Sequence, residues 1–316
     1  VYIGTEDNSE IRNVCLINHG EEEAVIEATS YLEPLLARYE AEVAHPAFLN
    51  LFVRTEFLDS SNALLAIRRP RGASEQELFM VESVACSQEP AEPVSFETDR
   101  AKFIGRNRSV RDPAELELPL SKSVGNVLDP ALCLRVKFKI PGGERVKVSF
   151  TTSLCKSREQ AEKLAVKYSR VDSCKRAAEL AYARSVVESK YLEIGKAEQQ
   201  LIFALTSRLL FPLRQADYKE FRNNNHKGQP ALWTYGISGD NSILLCFLQE
   251  VEHIDIIGHL LQAHEFWRMH GLSCDLAIVH RDDNLYEKSL ANQLKEIIGT
   301  SHARSLVGQN GGIFLI

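Results

Sequence analysis

From Val1 to about Lys156 the apolar positions recur every second residue in short runs, the signature of strands rather than helices. Val94, Phe96 and Thr98 alternate with Ser95, Glu97 and Asp99. The alternation is clearest where Leu132, Leu134, Val136, Phe138 and Ile140 point one way and Cys133, Arg135, Lys137 and Lys139 the other, which predicts a half-buried strand. Val146, Val148 and Phe150 resume the pattern beyond Pro141-Gly142-Gly143, so 132–151 reads as a hairpin whose glycines supply positive-φ turn positions. Polar loops at Asn18-His19-Gly20, Asp59-Ser60-Ser61-Asn62 and Arg71-Gly72 separate further strands. The economical architecture is a large antiparallel sandwich.

At Ser157 the period becomes helical. Ser157 can cap, Gln160 can answer it in a capping box, and Ala161, Leu164, Ala165 and Tyr168 trace one face. A second helix is expected from about Ser173 to Ile194, ended by Gly195 at a C-terminal cap, and a third from Ala197 to Phe211, stopped by Pro212. After the polar stretch Asn223 to Gly228 the pattern changes again. Ile243–Leu248 is a strand-length apolar run, Ile254–His270 an amphipathic helix, Asp275–Val279 a second strand, Tyr286–Ile298 a helix and Ile313–Ile316 a third strand. That β-α-β-α-β order implies right-handed crossovers and a small parallel sheet covered by helices. The expected fold is therefore mixed and multidomain: a β-sandwich over 1–156, a helical linker over 157–225 and an α/β subdomain over 226–316. Because Val1-Tyr2-Ile3 already reads as extended and Gly312 to Ile316 is an apolar run, the sequence is expected to be an excised fragment, truncated at its C-terminus.

With 316 residues, 44% of them hydrophobic, the chain can bury substantial cores. A formal charge of -6 disfavours a nucleic-acid or anionic-membrane surface, and the short basic run Arg68-Arg69-Pro70-Arg71 does not reverse this. Seven scattered cysteines without a C-x-x-C pair indicate neither a disulfide framework nor zinc, and point to a reducing, cytoplasmic setting. Cys133 and Cys246 are read as small buried hydrophobes. No apolar run approaches the ~20 residues that cross a bilayer. The sequon at Asn107-Arg108-Ser109 carries little meaning without a secretory signal.

His264-Glu265 with His270 fails the H-E-x-x-H spacing, since the imidazoles are six apart, so packing or surface roles suffice. Gly236-Ile237-Ser238-Gly239-Asp240 precedes a strand, whereas a phosphate-binding glycine loop follows one and opens a helix; a tight turn with Asp240 orienting backbone amides is the better account. No cofactor and no metal are implied. A sugar site needs aromatic faces for the apolar side of a pyranose and planar groups for paired hydroxyls. Trp233, Tyr235 and Asp240 have that chemistry, although a Trp and a Tyr two apart on a strand would share one face and are more commonly core. Arg106 and Arg108 could clamp an anion or sugar hydroxyls, or pin a loop through Asp99 or Asp112.

Two blocks, Phe-Ile-Gly-Arg-Asn-Arg-Ser at 103–109 and Leu-Trp-Thr-Tyr-Gly-Ile-Ser-Gly-Asp-Asn-Ser-Ile at 232–243, resemble signature stretches of the cyclic β-1,2-glucan synthases and their relatives, the cellobiose and chitobiose type phosphorylases of glycoside hydrolase family 94 (glycosyltransferase family 36). In the same order come the strand pair between Glu10 and Leu36, Ala44-His45-Pro46-Ala47-Phe48, Glu97-Thr98-Asp99-Arg100, Val124 to Pro130, Ser157-Arg158-Glu159, Ala263 to Arg268 and Gly311 to Leu315. The resemblance implies an N-terminal supersandwich and a parent that is attached to the bacterial inner membrane, makes β-1,2-glucan from a nucleotide sugar and trims it by phosphorolysis. Its general acid, a raised-pKa carboxyl in a helical barrel, has no recognisable counterpart here, so no catalytic residue is assigned. The expected partners are β-1,2-glucan, the remaining domains of the parent and, by analogy with family phosphorylases, a second copy of the chain. The alternative is a free-standing, noncatalytic carbohydrate-binding or assembly module.

Overall fold

The computed structural model describes residues 1–72, 75–211, 224–248, 250–280 and 289–316. The chain forms two compact units, Val1–Ser185 and Val186–Ile316.

The first unit is built on two antiparallel sheets. Six strands, β1 (Tyr2–Ile3), β2 (Ser9–Ile17), β4 (Val53–Leu58), β5 (Ala63–Arg68), β6 (Leu78–Cys86) and β9 (Arg145–Cys155), pair in the order β1-β2-β9-β6-β5-β4. Three more, β3 (Ala24–Thr29), β7 (Ser95–Asp99) and β8 (Pro130–Ile140), pair as β3-β8-β7. Between the sheets lies one apolar core in which Leu64, Ala66, Val84, Val146, Val148 and Phe150 meet Phe96, Leu132, Leu134, Val136, Phe138 and Ile140. The outer face of the larger sheet is covered too, because α4 (Arg158–Tyr168) and α5 (Val171–Tyr191) set Ala161, Leu164, Ala165, Tyr168, Cys174 and Ala177 against Ile11, Leu65, Ile67, Phe79 and Val81. Burial on both faces explains why Ala63-Leu64-Leu65-Ala66-Ile67 is a continuous apolar run instead of an alternation.

The alternation around 132–151 is real, but the hairpin is not: β8 and β9 lie in opposite sheets, and Pro141-Gly142-Gly143 carries the chain across the sandwich. Their apolar faces pack toward one another through the core, which satisfies the same period-two pattern without edge pairing. Asn18 pins this crossing, its side-chain amide donating to Ile140 O at 2.8 Å and Glu22 O at 2.7 Å while its backbone carbonyl accepts Gly143 N at 3.0 Å. At Gly142 a Cβ would stand 2.3 Å from Glu21 O, so only glycine allows the two crossing loops to approach.

Helix α4 starts as its sequence dictates, with Ser157 Oγ accepting Gln160 N at 3.2 Å and Gln160 Oε1 accepting Lys156 N at 3.2 Å. Gly195, expected to end a helix, instead opens the next one, α6 (Lys196–Leu210): its N–H donates to Glu198 Oε2 at 2.9 Å. Glu193, at φ 55°, takes the left-handed position after α5 that Gly195 was expected to fill. Pro212, Asn223 and Tyr286 to Lys288 lie outside the described residues.

In the second unit β10 (Ser242–Leu248), β11 (Cys274–His280) and β12 (Ile313–Leu315) form a parallel sheet in that order, with α7 (Asp255–Met269) and α8 (Ser289–Thr300) between them. Leu248, Leu276, Ile278 and Ile313 pack on Ile257, Leu260, Leu261, Leu290, Leu294 and Ile298 of the helices. The register puts Ile243, Leu245, Ala277 and Phe314 on the other face. There Leu232 and Ile237 cover Ala277 and Phe314. Among the described residues no helix is long and apolar enough to cross a membrane.

Candidate carbohydrate-contacting sites

At the end of β7, Asp99 caps the short helix α3 (Arg100–Ile104) by accepting Ala101 N at 3.0 Å. The helix buries Phe103 and Ile104 against Leu120, Ala131 and Cys133, which seals the outer face of β8 and gives Cys133 a fully buried position. Burial pushes the Cys133 thiol well above its ordinary pKa, consistent with a packing role. Cys246, by contrast, is only partly buried. Gly105 then turns at φ 80°, and Arg106, Asn107 and Arg108 emerge exposed. Asp99 is committed to the helix cap, so the ion pairs of Arg108 go to Asp112 at 3.6 Å and Glu117 at 3.5 Å, pinning the loop. Arg106 has no ion pair among the described residues.

The same cap places Arg100 at a junction of several sequence blocks. Its Nε donates to Glu33 Oε1 at 2.8 Å and its Nη1 to Asp129 Oδ2 at 3.1 Å, and its backbone N–H donates to Asp129 O at 2.9 Å. Asp129 Oδ1 accepts Asn50 Nδ2 at 3.1 Å from the end of α2 (Pro46–Asn50), which follows α1 (Tyr39–Ala44). Tyr31 donates its hydroxyl to Glu33 and stacks on Phe103 with ring centroids 5.2 Å apart. Although partial burial pulls the other way, the hydrogen bonds from Tyr31 and Arg100 hold Glu33 below the ordinary glutamate pKa. Glu33, Asn50, Arg100 and Asp129 border a cleft of about 590 Å³. Ala44 to Phe48, Glu97 to Arg100 and Val124 to Pro130 are separate blocks along the sequence, and no pattern in them signals that they converge, because convergence is a property of the two-sheet topology.

In the second unit Trp233 and Tyr235 belong to a 3₁₀ turn, Gln229–Tyr235, and not to a strand. Trp233 is 62% and Tyr235 56% exposed, so neither is core. Residues two apart in a 3₁₀ turn diverge by about 120°, so the two rings do not share a face. The buried anchors of the segment are Leu232 and Ile237 instead, and the Trp233 indole N–H donates back to Ser238 O at 3.3 Å. Asp240 is exposed, and its carboxyl accepts the side-chain Nε2 of Gln229 at 3.2 Å instead of a backbone amide, while its own N–H donates to Ser238 Oγ at 3.2 Å. Next to it Asn241 Nδ2 donates to Asn310 Oδ1 at 2.8 Å and Asp275 Oδ1 at 3.4 Å, and Asp275 Oδ1 accepts Gly311 N at 2.7 Å.

His264 is 2% exposed, and its Nε2 stands 3.0 Å from both Cys274 O and Gly311 O. Two carbonyls can only accept, so Nε2 carries the hydrogen and ties β11 to the turn before β12. Burial holds its pKa below the usual histidine value. Glu265 pairs with Arg268 at 2.7 Å. Two carboxyls are pushed up by burial, Glu82 to about 8 and Glu115, with Glu97 adding to the effect, to about 7. Glu82 lies in the sandwich core, 1% exposed, and Glu115 is 6% exposed; neither borders the Arg100 cleft.

Residues 1–171 match the family described as glycosyl hydrolase 94, supersandwich domain. The chain is also similar to the cyclic beta-(1,2)-glucan synthase NdvB of Rhizobium meliloti (strain 1021), with 28% identity over 307 residues that cover 96% of this chain and 11% of that relative. The chain thus spans about a tenth of the length of the curated relative it matches.

Proposed function

The chain belongs to the glycosyl hydrolase 94 supersandwich family, and we propose that it works as one segment of a cyclic β-1,2-glucan synthase-like enzyme, as scaffold and glucan-contacting surface. The observation that carries this is the reach of the similarity: it covers 96% of the chain, so it extends beyond the sandwich through the α/β unit. In this reading the parent makes and phosphorolytically trims β-1,2-glucan, and this segment sits on the cytoplasmic side of the inner membrane without spanning it. Arg106, with no ion pair among the described residues, and the exposed Trp233, Tyr235 and Asp240 are the side chains we assign to glucan contact, and Arg108 supports the loop that presents Arg106. The chain's own chemistry supports a noncatalytic part. Among the described residues, the carboxyls with raised pKa values, Glu82 and Glu115, are buried, away from where a glycosidic oxygen could take their proton.

Calorimetric titration of the 316-residue chain with linear β-1,2-gluco-oligosaccharides, beside an assay for sugar phosphate release, tests the assignment. Saturable binding without release is the expected result. No heat at millimolar oligosaccharide removes the glucan-contact role, and phosphate-dependent release removes the noncatalytic one.

A further inference from the structure

We propose that the cleft around Arg100 in the sandwich unit is itself a saccharide subsite, which rests on the glucan reading above and adds to it a second, separate contact point. Its volume of about 590 Å³ falls within the roughly 300–1,000 Å³ of ligand clefts. Glu33, Asn50, Arg100 and Asp129 supply planar hydrogen-bonding groups held in place by one another, at 2.8, 3.1 and 3.1 Å. Preorganised planar groups of this kind suit pairs of neighbouring hydroxyls, because little side-chain entropy remains to be lost on binding. Arg100 Nη2 has no protein partner among the described residues, which leaves a donor for a ligand hydroxyl.

The charge balance selects a neutral ligand. Glu33, Glu42 and Asp129 against Arg100 leave the lining net negative, which repels phosphates and nucleotides. A metal ion is not favoured either, since Arg100 already engages both Glu33 and Asp129 and no cluster of metal-binding side chains occurs among the described residues. The remaining lining is aliphatic, with Leu128 79% exposed at the rim, where the C–H face of a pyranose would cover apolar area otherwise left in water. A cleft of similar size over the outer face of β8 is the weaker candidate. There Arg135 is used up by Thr29, Leu118 and Glu115, and Lys137 by Glu27 and Glu92.

The test is titration of linear β-1,2-gluco-oligosaccharides into four 316-residue proteins: the wild type, Trp233→Ala, and Trp233→Ala combined with Leu128→Arg or with Arg100→Lys. Leu128 is solvent-exposed, so its replacement blocks the cleft without touching a core; thermal melts confirm that all four are folded. We expect Trp233→Ala to retain saturable binding that weakens at least tenfold when either cleft change is added. Residual binding indifferent to both cleft changes, or no binding left in Trp233→Ala alone, overturns the subsite while leaving the glucan reading intact. A wild type that binds nothing at millimolar oligosaccharide overturns both.

Discussion

Arg100 and Asp129 are joined twice, by Nη1 to Oδ2 at 3.1 Å and by the Arg100 backbone N–H to Asp129 O at 2.9 Å, so the start of α3 and the loop entering β8 move as one piece. The backbone link survives any side-chain change, and the ion pair is half exposed, at 35% and 38%. Arg100→Ala is therefore expected to cost only about 1 kcal/mol in urea unfolding of the sandwich. A loss above about 3 kcal/mol would mean that the guanidinium holds the loop by itself.

Gly105 has a sharper requirement. Its φ of 80° with ψ of 166° is a conformation open almost only to glycine, and a Cβ there would lie 2.6 Å from Ala114 Cβ. Gly105→Ala should lose about 2–4 kcal/mol. Adding Ala114→Gly removes the clash but not the backbone strain, so the double variant should recover part of the loss. Full recovery would show that φ contributes nothing.

Glu82 makes the sandwich pH-sensitive from within. It sits between the sheets, 1% exposed, with Oε2 unpartnered among the described residues, and burial raises its pKa from 4.5 to about 8. An acid whose folded pKa is raised binds its proton more tightly when folded. Its contribution is intact below the unfolded value near 4.5 and is lost as pH rises to about 8, on the order of 3–5 kcal/mol in all. Wild-type stability should fall between pH 5 and 8.5, and Glu82→Gln should flatten that slope. An unchanged slope in the variant assigns the pH dependence elsewhere.

Much of this architecture is legible in the chain because one physical cause acts alone. The face of α4 from Ala161 to Tyr168 and the parallel β10-β11-β12 order follow from periodicity, since each element buries a single face or run. Pairing partners are not legible where two causes give one pattern: β8 and β9 alternate identically whether they share a sheet or face each other across a core. Burial of Trp233 and Tyr235 is the commoner expectation for aromatics two apart on a strand, but Pro230 in the first turn and the αL glycine Gly236 at its end make the segment a 3₁₀ turn. The Arg100 cleft is not legible as a site because its lining comes from segments spread between residues 33 and 130, and no sequence pattern says that they meet.

The buried carboxylate Asp275 should govern the stability of the α/β unit. It is fully buried, and its Oδ1 accepts Gly311 N at 2.7 Å and Asn241 Nδ2 at 3.4 Å, joining the turns that precede β10 and β12 to β11. Its Oδ2 has no hydrogen-bond partner among the described residues. Asp275→Ala strands the Gly311 N–H in the interior, at an expected cost of about 2–4 kcal/mol. Asp275→Asn keeps an acceptor oxygen for both donors and should cost clearly less. Both tryptophans of the chain, Trp233 and Trp267, lie in this unit, so indole fluorescence during denaturation reports on it selectively. The alanine variant should shift that fluorescence transition to lower denaturant while the far-ultraviolet signal of the sandwich strands keeps its midpoint. Equal losses for alanine and asparagine would show that the two donors do not depend on Asp275 Oδ1.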